Sequence, residues 1–130
     1  MELEAGRQLL IRCNHAPLTV ALGIKTVLLS QGHEVVGVAA TAERALHLAE
    51  QHSADMALMD INIRSAMNGI ETAARLKELY NMPIVFVTAQ ADSATRAKAM
   101  AINPVGYLTK PYTAAELTKV VADALSSLHS

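Results

Sequence analysis

Four polar residues stand where short apolar runs stop. Asp60 ends Met56-Ala57-Leu58-Met59, and Thr88 ends Ile84-Val85-Phe86-Val87. Lys110 follows the run from Val105 to Leu108, and Asn14 follows Leu9-Leu10-Ile11. They offer an anion, a hydroxyl, a cation and an amide. A carboxylate at the end of an apolar run costs free energy unless it is paired or used. If the runs are parallel strands of one sheet, these groups converge at one edge, outside the carboxyl ends of the strands, where open α/β sheets bind ligands.

The rest of the chain supplies elements that would hold the runs in that arrangement. Pro17 suits the first turn of a helix that stops at Gly32. Val35 to Val38 forms a second strand, and Thr41 caps a helix whose apolar positions are Ala45, Leu46, Leu48 and Ala49. A turn from Asn62 to Gly69 leads to a third helix, with Ile70, Ala73, Ala74, Leu76 and Leu79 assigned to one face. Ala91 to Ala101 is Ala-rich and helical. Thr113 with Glu116 forms a capping box before a helix carrying Leu117, Val120, Val121, Ala124, Leu125 and Leu128. Five strands thus alternate with five helices, which predicts a doubly wound α/β domain with a parallel sheet covered on both faces. The runs at Met56 and Ile84 are continuously apolar, as strands buried on both faces require.

The chain of 130 residues fits one domain, read as residues 1–130 with about 7–128 structured. Hydrophobic residues make up 52%, enough for a core, and the aromatic share of 3% makes that core aliphatic. A net charge of −1 gives no case for direct nucleic-acid or membrane binding. Cys13 is the only cysteine, so no intramolecular disulfide forms, and a lone thiol suits a reducing compartment. Glu2 and Glu4 stand where a signal peptide would be basic. The reading is a soluble, cytoplasmic protein. His47 and His52 lack metal-ligand spacing, Cys13 is read as a small buried hydrophobe, His15 as a loop histidine, and the Met residues as core filler.

Several segments together resemble the receiver domain of two-component response regulators. Leu58-Met59-Asp60-Ile61-Asn62 is similar to the strand carrying the acceptor aspartate, and Met67-Asn68-Gly69-Ile70-Glu71 to the turn that opens the third helix. Val85-Phe86-Val87-Thr88-Ala89 is similar to the strand ending in the switch hydroxyl. Tyr107-Leu108-Thr109-Lys110-Pro111-Tyr112 resembles the switch aromatic, the lysine and its proline. The segments occur in the family's order, across nearly the whole chain.

The resemblance implies a flavodoxin-like (βα)5 fold with strand order 2-1-3-4-5. It implies a signalling domain rather than an enzyme, limited at most to self-phosphorylation and self-dephosphorylation. Asp60 would accept a phosphoryl group from a histidine kinase or phosphotransfer protein. Thr88, Ala89 and Lys110 would bind the phosphate, and Tyr107 would move with Thr88. The Lys110-Pro111 bond would be cis. Partners, including a second copy, would dock on the fourth-helix to fifth-helix face.

The resemblance also implies Mg²⁺ held by Asp60, by a backbone carbonyl at Asn62, and by two acids after the first strand. Here that segment reads Cys13-Asn14-His15, and no Asp or Glu occurs from Ala5 to His33. The missing pair leaves a second reading open, a pseudo-receiver that binds proteins without phosphorylation. A third, a hydrolase with an aspartyl-phosphate intermediate, expects a second acid two residues after the nucleophile, where this chain has Asn62.

Overall fold

The computed structural model describes residues 8–13, 18–39, 41–52, 54–61, 66–88 and 93–127. In chain order the elements are β1 (Gln8–Cys13), α1 (Leu18–Ser30), β2 (Glu34–Ala39), α2 (Ala42–Gln51) and β3 (Met56–Ile61). There follow α3 (Ala66–Tyr80), β4 (Ile84–Thr88), α4 (Ser93–Ala101), β5 (Gly106–Thr109) and α5 (Ala114–Ser127). All neighbouring strands are parallel, in the order β2-β1-β3-β4-β5.

Side-chain alternation along the central strands divides the core in two. Ala57 and Met59 of β3 and Ile84 and Phe86 of β4 pack with Ala45 and Leu48 of α2, Ile70, Ala73 and Leu76 of α3, and Ala99 of α4. On the other face, Met56, Leu58, Val85 and Val87 pack with Ile24 and Leu28 of α1 and with Leu117, Val121, Ala124 and Leu125 of α5. Every residue of β4 is buried, which explains its unbroken apolar run. On β2, Gly37 admits α2 closely, since a Cβ there would lie 2.7 Å from Leu48 Cδ1.

Local signals set the helix ends. Thr41 Oγ1 accepts the Arg44 N–H at 3.1 Å and caps α2. Thr113 and Glu116 bond reciprocally, at 2.8 and 3.1 Å, before α5. Past α1, Gly32 has φ of 87°. Its N–H donates to Leu29 O and that of His33 to Leu28 O, the paired bonds of a glycine C-cap. Asn81 and Asn103 take the same left-handed conformation after α3 and α4, with φ of 53° and 57°.

Some expectations need correction. Met67-Asn68-Gly69 lies within α3 rather than in a turn. Asn and Gly are weak helix formers, but here they fall in the opening turns of a helix held by its packing. Leu79 is not on the buried face and is 54% exposed. Nine residues of helix place it about 180° round the axis from Ile70. Met56, Met59 and Met82 are core residues, whereas Met100 is 45% exposed on α4. The fifth strand begins at Gly106 rather than Val105, although the Val105 N–H already donates to Ile84 O at 2.8 Å. Pro17, Ala91 and Leu128 lie outside the described residues.

Candidate functional site

The sheet register carries the polar strand ends to one edge. Asp60 is the fifth residue of β3, paired with Cys13 of β1 on one side and with Val87 of β4 on the other. Thr88, the last residue of β4, pairs with Ile61 and with Thr109. One residue beyond Thr109, the Lys110 N–H donates to Thr88 O at 2.7 Å, extending the β4–β5 ladder past the formal end of β5. Parallel strands repeat at about 4.8 Å, so Thr88 stands on the strand next to Asp60, and Lys110 about 10 Å across the sheet. The residues predicted from three separate runs are therefore on three consecutive strands, all at carboxyl ends.

Burial differs among them. Thr88 is 3% exposed, one of the few buried polar side chains among the described residues, while Lys110 is half-buried. The Lys110-Pro111 peptide bond is cis. Asn14, His15, Asn62 and Ala89 lie outside the described residues, and Cys13 and Asp60 are placed by their backbone.

Tyr107 on β5 is half-buried against the α2–α3–α4 core. Its ring meets Phe86 edge-on, with centroids 6.4 Å apart and planes at 65°. The Arg96 guanidinium of α4 sits 5.1 Å from the Tyr107 centroid, within cation–π range. Sequence reading missed Arg96, because no periodicity links it to a residue eleven positions away. It also missed Lys77, whose ammonium donates to the carbonyls of Ile102 and Asn103 and ties α3 to the end of α4.

A separate cleft of about 310 Å³ is lined by Ala49, Glu50, Gln51, His52, Ala54, Tyr80 and Met82. Several of these residues precede β3 and β4, so the cleft lies toward the amino ends of the strands, away from Asp60. Among the described residues no group of three or more His, Cys, Asp or Glu side chains could hold a metal ion, and no helix is long and apolar enough to cross a membrane.

The family model "response regulator receiver domain" matches residues 18–122. The chain therefore belongs to the response regulator receiver family. The transcriptional regulatory protein YvrH of Bacillus subtilis is 31% identical over 94 residues, covering 72% of this chain and 39% of that protein. The phyllosphere-induced regulator PhyR of Methylorubrum extorquens is 26% identical, covering 94% of this chain and 48% of PhyR. The chain thus spans about half or less of these relatives. Among solved structures, the signal receiver domain of a modulated diguanylate cyclase from Desulfovibrio desulfuricans superimposes with a TM-score of 0.82 at 35% identity, covering 94% of this chain and 95% of that one. A CheY-like receiver domain from Methanospirillum hungatei gives a TM-score of 0.83 at 24% identity, covering 94% and 95%, a likeness of fold. Receiver domains are signalling domains rather than conventional enzymes. In general they interact with histidine kinases or phosphotransfer proteins, and the family typically binds Mg²⁺.

The residues of this chain do not fit that cation. Mg²⁺ takes hard oxygen ligands and draws its charge partners from carboxylates. The β1 register pairs Cys13 with Asp60, and the segment that follows Cys13 in the sequence contains no acid. Other described carboxylates are committed or face solvent: Glu116 accepts the Thr113 N–H, while Glu43 and Glu71 are exposed on helices. A carboxylate removed from ~4 Å forfeits up to about 4 kcal/mol per unit charge at an effective dielectric of ~20.

Proposed function

We propose that this receiver domain accepts a phosphoryl group on Asp60 from a phosphohistidine-bearing kinase or phosphotransfer protein and signals by a change of conformation. The observation that carries this reading is the register that sets Asp60, Thr88 and Lys110 at the carboxyl ends of three consecutive strands.

In the transfer, the P–N bond of the donor breaks and a P–O bond forms to an Asp60 carboxylate oxygen. The donor imidazole keeps the electron pair of the broken bond and takes up a proton. Lys110 supplies a positive charge to one phosphoryl oxygen. The Thr88 hydroxyl and the Ala89 N–H donate to the others, and Tyr107 follows Thr88 as it moves. The face formed by α4, β5 and α5 then selects the partner, which in one version is a second copy of the domain. A single domain over residues 1–130, a cytoplasmic setting and no direct contact with nucleic acid belong to the same reading.

Intact-mass measurement after incubation with a small phosphodonor tests it. A gain of one phosphoryl group that disappears in Asp60→Asn is the expected result. No gain, with the donor or with a phosphorylated kinase domain, would refute it. One observation favours a second reading, a phosphorylation-independent interaction module: the absence of any carboxylate from Ala5 to His33. Partner binding that Asp60→Asn leaves intact, in a chain that takes no label, would select that reading.

A further inference from the structure

The segments that follow the strands supply no carboxylate pair for a metal beside Asp60 on the β1 side. The connections that leave the carboxyl ends of the strands, together with Asp60, contain two acids and two bases. Asp60 and Asp92 stand against Arg64 and Lys110, a formal sum of zero with His15 neutral. The β1–α1 connection, Asn14 to Pro17, contributes no acid, and neither do Ala40 and Thr41 after β2.

Two further carboxylates beside Asp60 would bring the sum to −2, the charge that one divalent cation cancels. Without them a divalent cation would leave the edge at +2, and only Asp60 would attract it from the β1–β3 side. The segment after β1 therefore lacks the carboxylates from which a divalent cation draws its charge partners.

We infer that the acceptor edge of this domain lacks the carboxylates that Mg²⁺ requires, that Mg²⁺ is not its ligand, and that any phosphoryl transfer to Asp60 proceeds without dependence on Mg²⁺. The inference rests on the acceptor reading only in its last clause. The residues that decide it are Asn14 and His15, which follow the Cys13–Asp60 pairing.

The test is a Mg²⁺ titration followed by backbone amide NMR of the full chain, with Asn14→Asp and Asn14→Asp/His15→Asp run beside it. The wild-type protein should show no saturable shift at Asp60, Ile61 or Thr88 at millimolar Mg²⁺. The double variant should bind at least tenfold more tightly, a difference of about 1.4 kcal/mol. The single variant should fall between, and the spectra without metal report that each variant is folded. A saturable wild-type shift at those amides overturns the inference. So does a folded double variant that stays as inert as the wild type, since the missing carboxylates would then not be the cause.

Mass labelling with Mg²⁺ and with a chelator separates this inference from the acceptor reading. Equal label in both arms supports both. Label that needs Mg²⁺ overturns the inference and leaves Asp60 as an acceptor. No label, together with a flat wild-type titration and a responsive double variant, supports the inference and sinks the acceptor reading.

Discussion

The Lys110 N–H donates to the Thr88 carbonyl at 2.7 Å, so main chain fixes the spacing of these two residues at the carboxyl ends of β4 and β5. Their backbones continue the β4–β5 ladder. This separates two roles that a substitution would usually confuse. Lys110→Ala keeps the backbone bond and removes the ammonium. The yield of acyl phosphate should fall at least tenfold, about 1.4 kcal/mol, with little change in melting temperature. A loss of yield matched by a comparable loss of stability would assign Lys110 to the fold instead.

Thr88 is buried at the end of a strand whose every residue is buried. Thr88→Val preserves shape and removes a hydroxyl, which should cost about 1 kcal/mol. Denaturant melts measure that cost, and the same variant should lose phosphoryl label beyond what the stability change explains. An unchanged yield would remove the hydroxyl from the site.

Phe86 is fully buried and holds the Tyr107 ring edge-on at 6.4 Å between centroids. Phe86→Ala should destabilise the domain by about 3–5 kcal/mol. Phe86→Leu fills most of the space, should cost less, and still removes the aromatic contact. Near-ultraviolet circular dichroism of the tyrosines would read the release of the ring. An unaltered spectrum in folded Phe86→Leu would count against the contact.

Arg96 over Tyr107 is a contact at an exposed site, worth about 0.5–1 kcal/mol. Arg96→Ala should therefore leave the melting temperature nearly unchanged while altering the Tyr107 ring signals in NMR. A large stability loss would mean that Arg96 does more than cover the ring.

Lys77 binds two carbonyls beyond the end of α4. Lys77→Met retains the stem and loses the donors, and should cost about 1–3 kcal/mol. Hydrogen exchange should accelerate at the end of α4, from Ala99 to Asn103, more than in β3 or β4. Uniform acceleration would show that the bonds support the whole domain rather than this one end.

Five alternating strands and helices were legible because each run had a local cause. The caps at Thr41 and at Thr113 with Glu116, and the glycine stop at Gly32, depend on residues a few positions apart. Asp60, Thr88 and Lys110 were legible as strand-end residues for the same reason: an apolar run stops at each. Leu79 and Met100 were misjudged because apolar character does not say which way a helix turns its face. The opening of α3 through Asn68 and Gly69 ran against local propensity and was decided by packing.

The sequence by itself determined which polar residues stand at or within a residue of the strand ends, that the sheet would be parallel, and that no carboxylate occurs between β1 and β2 before Glu34. Those properties belong to residue type and to spacing along the chain. Only the tertiary structure decided that Cys13 pairs with Asp60, that Lys110 hangs from Thr88, and that Arg96 and Phe86 meet at Tyr107. Each of those contacts joins segments far apart in the chain. Hydrophobic burial on both faces of one sheet brings them together, and it depends on residues that no short-range spacing links.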